Sequence, residues 1–482
     1  MVHEKNKETP LKEQSFYVNT KMGFVQLETY EKPILLGVLV LFSLMAFPYL
    51  FQESLWNDET VYMWMANKIK ENPSFLLSEH PAKMSYGYLF STIAAFLSNF
   101  MEVFYAARIT SFLFSIAGIV AIYYAAKKSI NQYAGITAAF LLGSNALFFF
   151  ITNRALLDAP LTAIFSIIYL ALVYFNPDDW KSGLLLGILS LVAILTKTSG
   201  FLAVPSILFA LFVMYPHPKN WTRKGIMTCL FVILASGFLY LGNNYLQFGN
   251  FMLGDISKLQ TTVIFGGSHA FYLQNANHIF TLPLFLLGIA GIIIAIQQKD
   301  KLMGVAVVGG FQFLFFSFLV GEKVDRYILP TLPAIILFSL YFLDWSLNKL
   351  KISPKWVIII LLLSCLNYPT AKNLTESRMY TYTGFQEIGI TVKNLEKNHN
   401  FEKIYSQSSR QIRAFSGIEY ESDGGKIKLL PKTLEELEDQ ENILIQLDIW
   451  EYTGPEWAYP LTQEKVDNLI ANNFTMVHVV YR

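Results

Sequence analysis

Cysteine is almost missing from this sequence. The two present, Cys229 and Cys365, each sit in an apolar run. That excludes a disulfide framework and a metal-ligand spacing, and suits small buried hydrophobes. Charge is scarce too: Asp, Glu, Lys and Arg make up 15% of residues, where soluble domains carry about a quarter. The net charge of +1 excludes bulk electrostatic capture of nucleic acid, which draws on a basic excess. A short basic start followed by an apolar region of about 7–15 residues is also lacking, so no cleavable signal is expected and the first apolar helix reads as a retained anchor.

What fills the chain is hydrocarbon. Hydrophobic residues make up 53% of its 482 positions, and the mean hydropathy is +0.39. They gather in runs between Pro33 and Asn367, whereas 1–32 and 369–482 read as ordinary polar protein. A spanning helix needs about 20 mostly apolar residues. On that basis about eleven transmembrane helices are expected, near 34–52, 107–126, 134–152, 160–176, 183–197, 201–215, 225–243, 278–296, 303–320, 328–346 and 356–368.

Lys and Arg in short loops mark the cytoplasmic side. Lys127–Lys128, Lys181, Lys219, Arg223 and Lys224, Lys299 and Lys301, and Lys349, Lys351 and Lys355 all fall on the side of the Lys-bearing tail when the N-terminus is inside. The expected fold class is therefore an α-helical polytopic membrane protein with its N-terminus inside. Its parts are a cytoplasmic tail (1–32), a transmembrane domain (33–368) that holds the protein in the cell membrane, and an extracytoplasmic domain (369–482). Tyr86–Met101 would reverse the later loops if it spanned. Its short length, aromatic start and position after amphipathic Glu59–Glu71 place both segments along the outer interface, inside a first outer loop at 53–106.

Ionisable residues at membrane depth are costly and mark function by default. Here they converge on one face. The first outer loop carries Asp58 and Glu59 in WNDETVY, then Glu79, His80 and Lys83 in SEHPAKMSYGY. Arg154 and Asp158 follow in NRALLDAP, Lys197 in LTKTSG, and Glu322, Lys323, Asp325, Arg326 and Tyr327 in GEKVDRYILP. A polyprenyl-phosphate sugar confines its reactive carbon to that boundary, with its tail in lipid and its head in water. Transfer to a hydroxyl needs a carboxylate to take the acceptor proton and cations for the departing phosphate. Asp58 also suits a helix start, Glu59 the helix dipole, and Glu322, Lys323 and Asp325 a solvated loop. No His, Asp or Glu group has a metal spacing, and Asp58 lacks a D-x-D form, so no metal and no cofactor are assigned.

WNDETVY with its amphipathic helix, the K-x-x-x-G-Y of Lys83, the R-x-x-x-D-x-P of Arg154 and Asp158, and the LTK-x-x-G of Lys197 together resemble the GT-C membrane glycosyltransferases. Similarity is strongest to the dolichyl-phosphate-mannose protein mannosyltransferases and the lipid A aminoarabinose transferases, over roughly 30–345. The resemblance implies Asp58 as catalytic base with Glu59 as its partner. It implies Lys83 on the donor phosphate, Arg154 and Asp158 shaping the site, and the R-Y-x-L-P of Arg326, Tyr327 and Pro330 beside that phosphate. His80–Pro81–Ala82 replaces the His-Pro-Pro of many relatives, and Met84 replaces a proline of the aminoarabinose branch, which leaves the donor sugar unassigned.

The expected partners are thus a polyprenyl-phosphate sugar, membrane lipid, and a protein, lipid or glycan acceptor. The competing readings are a lipid-linked-sugar transporter or flippase, whose charges would lie mid-membrane on broken helices, and an oligosaccharyltransferase. After Asn367, KIYSQ, ILIQLD and TMVHVVYR read as strands and 384–396, 433–440 and 463–472 as helices, a small α/β domain.

Overall fold

The computed structural model describes residues 31–52, 54–77, 87–248, 268–321, 323–351, 367–377, 384–421, 424–430, 437, 440–447, 467, 471 and 474–476. The N-terminal tail up to residue 30, Glu79, His80, Lys83, Glu322, most of the run at 356–368 and most of 433–440, 463–472 and TMVHVVYR lie outside them.

The other ten expected apolar runs are all helical. In chain order the α-helices of seven residues or more are α1 (Glu31–Leu50), α2 (Asn57–Glu71), α3 (Leu89–Leu97), α4 (Val103–Ser129), α5 (Gln132–Ser144), α6 (Ala146–Thr152), α7 (Asp158–Val173) and α8 (Trp180–Thr196). Then come α9 (Ala203–Met214), α10 (Lys224–Phe248), α11 (Leu282–Gln298), α12 (Met303–Leu314) and α13 (Leu332–Lys349). Among the described residues, four stretches are long and apolar enough to cross a membrane: Lys32–Leu50, Val103–Ser129, Lys224–Gly242 and Asp325–Lys349. The pair α5 and α6 makes a bent fifth.

The bundle wears its apolar side outward where α10 faces away from its neighbours: Phe231, Leu234, Phe238 and Leu246 are each more than two-thirds exposed. A soluble protein does not leave such a patch in water, whereas lipid accepts it without cost. Inside, α4 packs along α7. At their crossing a Cβ on Gly118 would stand 3.0 Å from the Ala163 Cα, so glycine lets the two backbones meet.

Two departures from the expected spans position the site. The run 134–152 is broken into α5 and α6, which meet at 66°. Asn145 causes the break: its Oδ1 accepts from Phe148 N (2.9 Å) and its Nδ2 donates to the Ile279 carbonyl (2.9 Å), so it starts a new helix instead of continuing the old one. The bend delivers Arg154 and Asp158 to the end of the bundle. Helix α12 likewise loosens into a single π turn at Phe315–Leu319. Lys323 closes that turn, donating to the carbonyls of Phe316, Ser317 and Val320 at 2.6, 2.7 and 2.5 Å. It is buried rather than part of a solvated loop, and burial holds its ammonium below the ordinary lysine pKa. Helix α3, nine residues long, reaches only about 14 Å and cannot cross a hydrocarbon core of about 30 Å.

Helix α14 (Asn367–Ser377) still packs on the bundle, where Ala371 is buried in the main core and Tyr368 meets Phe149, and beyond it lie α15 (Phe385–His399), β1 (Lys403–Ser406), α16 (Ser409–Ser416), β2 (Ile427–Leu429) and β3 (Ile443–Gln446). The strands form an all-parallel sheet in the order β2-β1-β3, with Ile404 opposite Ile427 on one side and Leu444 on the other. Val392, Ile404, Ile412 and Ile427 make its small core. Parallel strands need crossovers, which α16 and the segments between the strands supply. Neither α16 nor β2 was among the expected elements. Both are short, and α16 reads as polar sequence.

Candidate active site

Helix α2 begins with its acids where the helix dipole favours them. Glu59 turns inward and is fully buried. Its carboxylate accepts from Trp56 N (2.9 Å) and Ala155 N (2.8 Å) and pairs with Arg108 (Nε–Oε1 3.0 Å) and Arg154 (Nη1–Oε2 3.6 Å). Burial alone would push this carboxyl up. The two guanidinium groups and the hydrogen bonds outweigh it, so its pKa stands below the ordinary value.

Arg108, also without exposure, spends its remaining donors on the Leu50, Gln52 and Ser54 carbonyls at the end of α1. It also stacks over the Phe104 ring at 4.1 Å. Arg154 donates to Ser54 O (2.7 Å) and Ser54 Oγ (3.0 Å) and lies against Trp56 and Phe150. One carboxylate and two guanidiniums thus knot together α1, α2, α4 and the turn after α6.

Asp58, one residue earlier, points the other way and keeps 28% of its side chain exposed. Its carboxylate is paired with Arg326 Nη2. Arg326 Nε stands 3.6 Å from Asp158 Oδ2, and Asp158 Oδ1 takes a 2.5 Å hydrogen bond from Lys197 Nζ. The result is a row of alternating charge, Asp58, Arg326, Asp158, Lys197, drawn from four segments far apart in sequence. Tyr327 lies under the row, its ring centroid 4.6 Å from Lys197 Nζ and 5.9 Å from the Arg326 guanidinium.

Local structure sets each member. Asp158 opens α7 and Lys197 ends α8, each at the helix terminus that favours its sign. Arg326 rides on the helical turn Asp325–Thr331. That turn is held by Tyr272 on Val324 O (3.1 Å), His278 on Asp325 (3.2 Å) and Tyr169 on Pro330 O (2.8 Å).

The sequence-derived candidates therefore divide. Asp58, Asp158, Lys197, Arg326 and Tyr327 come together at one partly open face. Glu59 and Arg154 do not join them: both are buried and turned inward, where Glu59 meets Arg108, Arg154 and the Trp56 and Ala155 N–H groups and Arg154 meets Ser54. Lys83 lies outside the described residues. Arg108 was missed, because a single arginine at the edge of an apolar run carries no motif; its signal was only its cost at membrane depth. Among the described residues no three His, Cys, Asp or Glu side chains cluster. A cavity of about 540 Å³ lined by Gln298, Tyr341, Asp344, Trp345, Asn348 and Lys349 sits near the far end of α13, about 20 Å along that helix from the charged row.

Residues 87–240 match the sequence model of the Dolichyl-phosphate-mannose-protein mannosyltransferase family. The fold is similar to that of ArnT from Cupriavidus metallidurans bound to undecaprenyl phosphate, with a TM-score of 0.59 at 13% identity, covering 85% of this chain and 90% of that one. It is also similar to the oligosaccharyltransferase of Archaeoglobus fulgidus in the apo form, with a TM-score of 0.57 at 12% identity, covering 82% of this chain and 64% of the other. No curated protein matches the chain in sequence.

Proposed function

We propose, on the premise that this chain has the GT-C fold and carries that family's sequence pattern over 87–240, that it is an inverting membrane glycosyltransferase. It moves one sugar from a polyprenyl-phosphate donor to a hydroxyl of a protein, lipid or glycan on the outer face. The observation that carries this reading is the alternating row itself: a partly exposed carboxylate, Asp58, flanked by cations from distant segments at one end of a lipid-facing bundle.

In the reaction, the acceptor oxygen attacks the anomeric carbon as the bond to the phosphate oxygen breaks. Asp58 takes the acceptor proton. Arg326 and Lys197, joined by Lys83 from the first loop, receive the polyprenyl phosphate that leaves as an anion. Arg326 already shares itself between two carboxylates, so a phosphate oxygen can replace Asp58 as its partner and leave the base free for the acceptor. Asp158 orients both cations, and Glu59 with Arg108 and Arg154 holds the start of α2.

The test is transfer from a labelled polyprenyl-phosphate sugar by membranes containing Asp58→Asn. A general base contributes about 10²–10⁴-fold, so the variant should insert normally and lose at least about 100-fold of the rate. Full activity in Asp58→Asn sinks the assignment of the base. Sugar-lipid translocation without transfer in the wild type favours the flippase reading.

A further inference from the structure

Helix α2 carries Asp58 at one end and, two turns on, an attachment to the C-terminal sheet unit. Trp64 Nε1 donates to both Glu419 oxygens (3.0 and 3.1 Å), and Lys68 Nζ pairs with Glu419 Oε1 at 2.7 Å. Arg413 of α16 lies 4.1 Å over the Trp64 ring, 4.3 Å over that of Tyr420, and 3.8 Å from Glu419 Oε2. Glu419 raises the Lys68 pKa against the burial that would lower it.

Glu419 is itself fixed to the sheet. Its carbonyl accepts from Lys426 N (2.9 Å) and Ile427 N (3.0 Å), at the start of β2. Gly425 lies so close that a Cβ there would fall 2.7 Å from the Glu419 Cα. The other end of α2 is held by the buried Glu59 knot. A rigid rod pinned at its first turn and near its last, with an acid beside the first pin, has its orientation set by both.

We infer that Glu419 is a positioning residue for the transfer reaction: through Trp64 and Lys68 it sets the angle of α2, and so the place of Asp58 relative to Arg326 and the bound donor. The C-terminal unit thereby tunes the reaction without touching the reacting atoms. This rests on the reading of Asp58 as the base.

The experiment compares full-length wild type, Asp58→Asn, Glu419→Gln, Glu419→Asp, Lys68→Met and Gly425→Ala in proteoliposomes, with thermal unfolding measured beside donor KM and kcat. Glu419→Gln and Gly425→Ala should each lower kcat about tenfold while the donor KM stays within about twofold. Glu419→Asp should recover part of the loss, and Lys68→Met should show a smaller loss in the same direction. Unchanged kcat in Glu419→Gln and Gly425→Ala overturns the inference. So does a loss that merely parallels the fraction unfolded in both Glu419→Gln and Lys68→Met. If Asp58→Asn retains full activity, the functional reading fails first; if only the Glu419 and Gly425 variants do, this inference alone fails.

Discussion

Glu59 and Asp58 are neighbours in sequence with opposite surroundings. The Glu59 carboxylate is kept ionised in a dry place by Arg108, Arg154 and two backbone N–H groups. Its folded-state pKa lies below the unfolded value of about 4.3. The stability it supplies is therefore complete above that pH and is lost as pH falls through the folded value. Thermal unfolding in detergent should show Glu59→Gln less stable than wild type by a constant margin from pH 7 down to about 4.3, the margin closing at lower pH. Arg108→Met leaves Glu59 with one guanidinium and takes the arginine donor from the Leu50 and Gln52 carbonyls, while Ser54 O keeps Arg154. Removing one partner of a buried pair costs about 3–5 kcal/mol, so this variant should melt well below wild type. Arg326→Lys tests the outer row instead. A point charge cannot bridge Asp58 and Asp158 as a forked guanidinium does. The fold should hold, and the donor KM should rise by roughly tenfold, or 1.4 kcal/mol.

At the scale of elements, the break between α5 and α6 does the most for the site. Asn145→Ala removes the cap on Phe148 N and the tie to Ile279, and a lost cap costs about 1 kcal/mol. A straightened helix would also carry Arg154 away from Ser54, so activity should fall further than the melting temperature predicts; parallel assays of both decide it. The apolar runs that became α1, α4, α10 and α13 were legible because length and hydropathy suffice to mark a span. The bend was not, because Gly143–Ser144–Asn145 reads as tolerable within an apolar run and only the tertiary bond to Ile279 commits Asn145 to capping.

The same division runs through the whole molecule. Asp58, Asp158, Lys197 and Arg326 could be found from sequence because charge beside hydrocarbon is expensive enough to stand out. Which way each side chain turns could not, since Glu59 and Arg154 look no different from their neighbours until the helices are packed. The attachment of α2 to Glu419 joins two polar surfaces 355 residues apart, and no local pattern announces such a contact. It also has a consequence for topology: the exposed surface of the C-terminal unit must share a side of the membrane with α2. In a background with Cys229 and Cys365 replaced by serine, a cysteine at Asn400 should react with an impermeant maleimide added outside intact cells. A cysteine at Lys181 should react only after lysis. The reverse pattern would turn the proposed orientation over.

The knot around Glu59 has a timetable in it. Its ligands become available in the order of synthesis: the carbonyls at 50–54, then Arg108, then Arg154 and Ala155. The floor of the site can thus close once the first three apolar runs are in place. Asp58, by contrast, waits for a partner 268 residues downstream. Closing so long a loop is slow, so a chain halted before the turn at Asp325 would hold a finished foundation and an unpaired acid, and the ribosome must make two-thirds of the protein before the charged row is complete.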